Sequence, residues 1–402
     1  MPPPEPATPD PVALYIHFPL CLSVCPYCDF VVYGGRAARG PDNRVADLVE
    51  ALVAEIGLRA RAARLGSVYM GGGTPSLMSP DQVARLLRAA DDAFGIAAGA
   101  EVTLEVNPGP ADRGDIASFA AAGVNRISIG AQSLVPAELR RLGRRHSPGD
   151  VAQTVALARA AGVPSVSVDL LYDVPGQTIA AWRDSLDGTL ALEPDHVSAY
   201  ALTLDAHEPS DDHLAPSRGA TQWRARAGLE QDDDRAAHMY EVADDRLARA
   251  GLSWYEISNW AAAGHASRHN NVYWNGAAWA AAGPGAHAFD GVSSRRWNAA
   301  NLNSYIAALA VRHLPPGGQQ TSTAAAADAE RVILRLRTAA GLPNDVAQSP
   351  AFRSAVSWGV ANGLLEEYGS PDNAGGVRLT QRGRLLSNEL FSRLLEPAHV
   401  AA

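Results

Sequence analysis

Three cysteines, Cys21, Cys25 and Cys28, are the whole thiol content of the chain, and they lie in one stretch, CLSVCPYC. Structural zinc usually takes four protein ligands, and a cubane iron–sulfur cluster usually takes four thiolates. A three-thiol loop leaves one metal position open, and on an iron cluster that position can take a small molecule. Two plainer readings stand beside this one: three free thiols, or zinc completed by a histidine such as His17. A lysine Schiff base and a phosphate-loop lysine are excluded, because every basic side chain other than histidine is arginine.

Other polar residues fall where chemistry could use them. Gly71-Gly72-Gly73-Thr74-Pro75 presents bare backbone to which a ligand could come close. Tyr15 precedes the cysteine loop. Glu105 in LEVNPG offers a carboxylate for a ribose hydroxyl or an ammonium, Gln132 an amide, and Arg144 a fixed cation for a carboxylate. Asp169 sits inside an apolar strand, where an unpaired carboxylate would be costly. Alone, each could be a satisfied polar group at a strand end.

These residues need a scaffold. Apolar runs rich in β-formers at 12–18, 67–70, 101–106, 125–129, 165–171 and 196–202 alternate with helix-patterned stretches. Such alternation predicts parallel strands with helical crossovers. The cysteines, the glycines, Glu105, Gln132 and Asp169 fall at or near strand C-terminal ends, the face on which β/α barrels collect their active sites. We therefore expect an α/β fold: a partial (β/α)6 TIM-like barrel over residues 12–204, after a flexible tail at 1–11. Residues 205–234 read as a mobile insertion, with Asp232-Asp233-Asp234 a solvated face. A helix at 236–250, a strand over 254–260 and a glycine- and histidine-rich region complete an extension to residue 314. Residues 315–402 show helix, helix, β-wing and helix, a winged-helix-like order without a clustered basic face.

Composition narrows the function classes. The 402 residues are 47% hydrophobic and 19% charged, as suits a globular enzyme. A net charge of −9 argues against general affinity for nucleic acid or anionic membrane. We expect no membrane span, since no run of about 18 apolar residues occurs. The proline-rich start does not read as a signal peptide. Close-spaced thiols fit a reducing compartment, so a cytoplasmic location is expected.

The spacing CxxxCxxC resembles the signature of the radical S-adenosylmethionine (SAM) superfamily, and a GGGTP one β/α unit later strengthens the likeness. YIHFPLCLSVCPYCDF, GGGTPS, LEVNPG, GVNRISIGAQS, LGRRHSP, VDLLYDVPGQT, YEISNWA and RHNNVYWNGAAWAAAGPGAH occur in order. Together they resemble the oxygen-independent coproporphyrinogen III oxidase-like family, and within it the haem-chaperone branch. The resemblance implies a [4Fe–4S] cluster on Cys21, Cys25 and Cys28. It implies SAM contacts from Tyr15, Gly72 and Glu105, and from Gly73, Thr74, Gln132, Arg144 and Asp169 around a possible second SAM. It also implies haem, with His269 of HNNVYW, and after it His287, as candidate contacts, and a haem-acceptor protein such as a membrane-associated respiratory enzyme. His17 is expected to support the cluster loop. The oxidases carry a further cysteine two positions after the third; Phe30 stands there in this chain. Oxidative decarboxylation of coproporphyrinogen III is therefore the alternative, and a zinc-stabilised binding protein is a third reading.

Overall fold

Residues 9–204, 214, 218–369 and 375–400 are described in a computed structural model of the chain. The tail before residue 9 and residues 205–213 and 215–217 of the insertion lie outside them.

Six strands, β1 (Ala13–Phe18), β2 (Leu65–Gly72), β3 (Ile96–Val106), β4 (Arg126–Gln132), β5 (Ser165–Tyr172) and β6 (His196–Ala201), pair in sequence order. Every pair is parallel. Their crossovers carry helices α1 (Val45–Leu58), α2 (Pro80–Phe94), α3 (Ile116–Ala121), α4 (Pro136–Arg141), α5 (Pro148–Ala160) and α6 (Ile179–Leu190). Local signals set the helix starts. Ser79 and Ser147 each accept from the backbone N–H three residues on, in reciprocal capping boxes with Gln82 and Asp150, and a proline follows at the first helical position. Strand side chains such as Val68, Met70, Leu104, Ile127 and Val168 are fully buried against the helices.

The sheet runs further than six strands. β7 (Ser253–Glu256) and β8 (Asn259–Ala261) add antiparallel at the β6 side. The single strand expected over 254–260 is thus a hairpin. Its chain reversal at Ile257-Ser258 carries no glycine or proline to announce it. On the other side β9 (Trp279–Ala282) pairs parallel with β1, and β10 (His287–Phe289), β11 (Ser294–Asn298) and β12 (Gly317–Thr321) continue outward antiparallel. Among the described residues the two edges of this twelve-stranded sheet do not pair, so the barrel is open.

The described part of the insertion is ordered instead of irregular: α7 (Arg218–Ala227) lies within it, and α8 (Asp233–Arg249) starts at its end. Asp232 caps α8 by accepting from the Arg235 N–H, which gives the acidic run a structural task. HNNVYW forms a short helix, α9 (Arg268–Trp274), and α10 (Leu302–Ala310) packs beside α1. From α11 (Ala324–Leu336) onward a separate core, centred on Leu336, Leu365, Leu379 and Leu390, holds three antiparallel strands and the last helices. A buried pair joins that unit to the rest: Arg384 donates twice to Asp244 and stacks over Trp254.

Candidate active site

β1 ends at Phe18, and the chain enters the cysteine loop across the C-terminal ends of the strands. Cys21 is buried; Cys25 and Cys28 are partly exposed. All three line one cavity of about 430 Å³, with Gly72, Gly73, Glu105, Asn107, Gln132, Arg144 and Asp169 in its wall. The sulfurs do not meet at one point: among the described residues no group of three or more His, Cys, Asp or Glu is gathered for a metal. Burial pushes the Cys21 thiol up to about 11 and the Cys28 thiol up to about 12. Any metal that binds them must displace protons.

Hydrogen bonds tie this loop to the barrel. Thr74 Oγ1 donates to Cys21 Sγ over 3.4 Å and accepts from Asn107 Nδ2 over 2.8 Å. Arg144 donates to Asn107 Oδ1 (2.6 Å), Gly130 O (2.7 Å) and Cys25 Sγ (3.6 Å). Arg224 of α7 donates to Pro26 O and Cys28 O and pairs with Asp29. His17 holds the loop from β1. Its Nε2–H donates to Val31 O (2.8 Å), and its Nδ1 therefore accepts from Tyr15 OH (2.9 Å). With both nitrogens engaged and burial pushing the imidazole down to about 4, His17 is a neutral brace and not a fourth metal ligand.

The glycines have packing reasons of their own. A Cβ on Gly71 would lie 2.7 Å from the Tyr69 ring and 2.9 Å from the Glu105 carboxylate. Gly72, with φ +111°, leaves room for the His17 ring, which a Cβ would approach to 2.3 Å. Glu105 accepts from Tyr69 OH (2.8 Å) and from the Gly72 N–H (2.9 Å). Burial, opposed by these two donors, pushes its carboxyl up to about 7. Gln132 follows a bulge in β4 and has φ 67°, which swings its amide over Gly130 beside Arg144. Asp169 accepts from the hydroxyls of Ser128, Ser167 and Ser198. This trio answers the cost of burying it.

The structure therefore gathers the three cysteines, Gly72, Gly73, Glu105, Gln132, Arg144 and Asp169 around one cavity. Thr74 lies behind Cys21, and Tyr15 faces a different groove. That groove, about 360 Å³, is lined by Tyr15, His17, Phe30, Val31, Tyr273, Trp279 and His287 among others. Phe30 and Asp29 border both spaces. His287 stacks on Trp297 at its side. His269 is elsewhere: it is 1% exposed, with Nδ1 2.9 Å from Ser67 Oγ and Nε2 2.8 Å from Tyr273 OH. Sequence reasoning passed over Asn107 and Tyr69. Asn107 stands two residues after Glu105, on the same face at the strand end, and that spacing was its signal.

Residues 15–187 match the radical SAM superfamily. Over 392 residues the chain is 39% identical to the heme chaperone HemW of Mycobacterium tuberculosis, covering 96% of this chain and 95% of that one. The chain belongs to the HemW family of radical SAM proteins. The HemW of Escherichia coli is 34% identical over 277 residues, 69% of this chain and 70% of that protein. The architecture also matches coproporphyrinogen III oxidase (HemN) from E. coli, with a TM-score of 0.77 at 19% identity over 96% of this chain and 90% of that one; this is a likeness of fold.

Radical SAM membership implies a [4Fe–4S] cluster and SAM, and the residues present fit both. Three thiols on one loop are the donors an iron cluster takes while leaving an iron open. Arg144 Nε is buried beside them without a partner. Glu105 and the Gly72–Gly73 backbone border the same space. No described helix is long and apolar enough to cross a membrane.

Proposed function

We propose that this chain is a haem chaperone built on a radical SAM scaffold, one that binds haem and passes it to an acceptor protein. The observation that supports it most is the single cavity joining the three cysteines to Glu105, Gln132, Arg144 and Asp169, in a chain colinear with heme chaperones over nearly its whole length. Cys21, Cys25 and Cys28 would hold the cluster. Gly72, Gly73, Glu105, Gln132, Arg144 and Asp169 would contact SAM, with Thr74 and Tyr15 bracing the loop. A reduced cluster supplies an electron to SAM when both are bound. The protein's own contribution is to fix the loop, through Asn107, Arg144, Arg224 and His17, and to keep the cavity walled off by the strands.

Haem would occupy the groove on the far side of Phe30, where Tyr273 and Trp279 offer flat rings, Val31 an apolar wall and His287 an imidazole. Phe30 is 67% exposed, unusual for a phenylalanine, and stands where the oxidases carry a cysteine. This favours the chaperone reading over porphyrinogen decarboxylation. The thiol loop fits a cytoplasmic location.

Anaerobic reconstitution with iron and sulfide, then haem titration under SAM with and without dithionite, tests the reading. Bound haem with little 5′-deoxyadenosine is the expected result. SAM cleavage that rises with coproporphyrinogen III, without a stable haem complex, would overturn it.

A further inference from the structure

His269 of HNNVYW was expected to meet haem, yet it lies buried at the start of α9, which is fastened to β3, while Tyr273 of the same helix lines the groove. Glu101, midway along β3 and level with Ser67, accepts from the N–H groups of Arg268 and His269 (both 3.1 Å) and from Ser267 Oγ (3.3 Å). Arg268 Nη1 donates to Gly99 O. The helix is thus fastened to β3. His269 points inward from it. Burial pushes its imidazole down to about 3, so the ring is neutral, and one nitrogen donates while the other accepts.

One nitrogen of His269 meets Tyr273 of the groove; the other, with the face of the ring, leads to the SAM side of the cavity. Its partner Ser67 and the residue it packs against, Tyr69, are alternate residues of β2, on one face of the strand. The His269 and Tyr69 ring centroids are 5.1 Å apart, and Tyr15 closes the stack at 6.4 Å from His269. Tyr69, so held, places its hydroxyl 2.8 Å from Glu105 Oε1, and Glu105 Oε2 takes the Gly72 N–H. Gly71 gives both side chains the room to meet.

We propose that His269 is a positioning residue for the SAM pocket: it clamps Ser67 and Tyr69, and through Tyr69 fixes the Glu105 carboxylate and the Gly72 backbone. The inference rests on the reading that Glu105 and Gly72 face SAM. It takes the first residue of the HNNVYW motif out of haem contact and leaves haem to the groove beside His287. Trp274, at the end of the same helix, lies under the Arg337 guanidinium at 4.8 Å, so the clamp also touches the chain beyond α11.

The test is equilibrium SAM binding to the full-length, cluster-loaded protein with the cluster oxidised, beside haem titration of the same samples. His269→Phe keeps a flat ring on Tyr69 but loses both hydrogen bonds; Tyr69→Phe removes the last link. Each is expected to weaken SAM binding at least fivefold. The double variant should be no weaker than the worse single one, because residues in one chain of contacts are not additive. His269→Gln, which can donate and accept, should recover to within twofold of the unsubstituted protein. Haem affinity should stay within twofold in Tyr69→Phe and Ser67→Ala, which leave Tyr273 of the groove untouched. If His269→Phe does not fold, Ser67→Ala breaks the same link from the strand side and is expected to weaken SAM binding likewise. Unchanged SAM affinity in His269→Phe or Ser67→Ala, or loss of haem with SAM affinity intact, would overturn the proposal. An unsubstituted protein that binds no SAM would instead remove the cofactor reading beneath it.

Discussion

Arg144 and Asn107 meet beneath the cysteine loop, Nη2 to Oδ1, at 2.6 Å. Through this contact one amide serves two cysteines: its Nδ2 reaches Cys21 by way of Thr74, and its Oδ1 holds the guanidinium that reaches Cys25. Asn107→Ala would leave Arg144 short of an acceptor inside the protein. The expected cost is about 1–3 kcal/mol, read as a lowered Tm. Iron and sulfide retained after reconstitution should fall as well. Full metal content in a destabilised variant would show that the amide serves the fold and not the loop.

Arg224 acts on the other end of the loop, from a helix within the insertion. Its side chain is 8% exposed and donates to two loop carbonyls besides pairing with Asp29. Arg224→Lys keeps the charge but loses the fork that serves several acceptors at once. We expect the cluster to be lost several times faster on exposure to a chelator, with little change in Tm. Equal rates of iron release would refute a role for α7 in holding the loop.

Glu105 sets a pH dependence. Its folded-state carboxyl is raised to about 7 by burial, against an ordinary value near 4.5. A raised carboxyl favours the folded state while protonated, and that contribution is lost as pH climbs from about 4.5 through about 7. Glu105→Gln cannot ionise. The variant should therefore gain stability relative to the parent across that window, by about 2–3 kcal/mol at pH 8, while binding SAM at least tenfold more weakly. Parallel Tm curves from pH 4 to 8 would contradict this assignment.

For haem, the residues that line the groove should respond. His287→Ala is expected to cost about tenfold in haem affinity, about 1.4 kcal/mol, and to alter the Soret band. Phe30→Ser should weaken haem as well, yet change stability by no more than about 0.5 kcal/mol because the ring is largely in solvent. Haem titrations of both variants that match the parent would exclude the groove.

Asp244 carries the joint to the C-terminal unit. Burial pushes its carboxyl up, but donors from Arg384, Trp260 and Gln381 outweigh burial and hold it below its ordinary value. A lowered carboxyl contributes stability above pH 3.8 that is lost as pH falls through its folded value. Asp244→Asn should cost about 3 kcal/mol near neutral pH by leaving Arg384 an uncompensated buried charge. The gap to the parent should narrow in acid. A gap that is constant from pH 7 to pH 3 would mean that the charge is not what matters.

The β/α rhythm was legible because parallel strands buried on both faces read as continuous apolar runs between capped helices. The cavity residues were legible for a related reason: polar types that fall at successive strand ends share one mouth. Three features were not legible. Trp279–Ala282 is a strand made largely of alanine, a poor β-former, and nothing local marks it as the neighbour of β1. The Ile257–Ser258 reversal lacks turn residues. His269 looked available for a ligand because its partner Ser67 is 202 positions away and sequence spacing is blind to such a contact.

The position of β9 bears on how the protein matures. β1 leads directly into the cysteine loop, but it is flanked on one side by a strand from residues 279–282. As the chain leaves the ribosome, β1 has its β2 neighbour early and its second neighbour only after most of the polypeptide has been made. Pairings so distant in sequence also close slowly. The cysteine loop is therefore expected to be among the last parts of the barrel to be fixed, so that a cluster held there would be loaded onto the finished chain and not the nascent one.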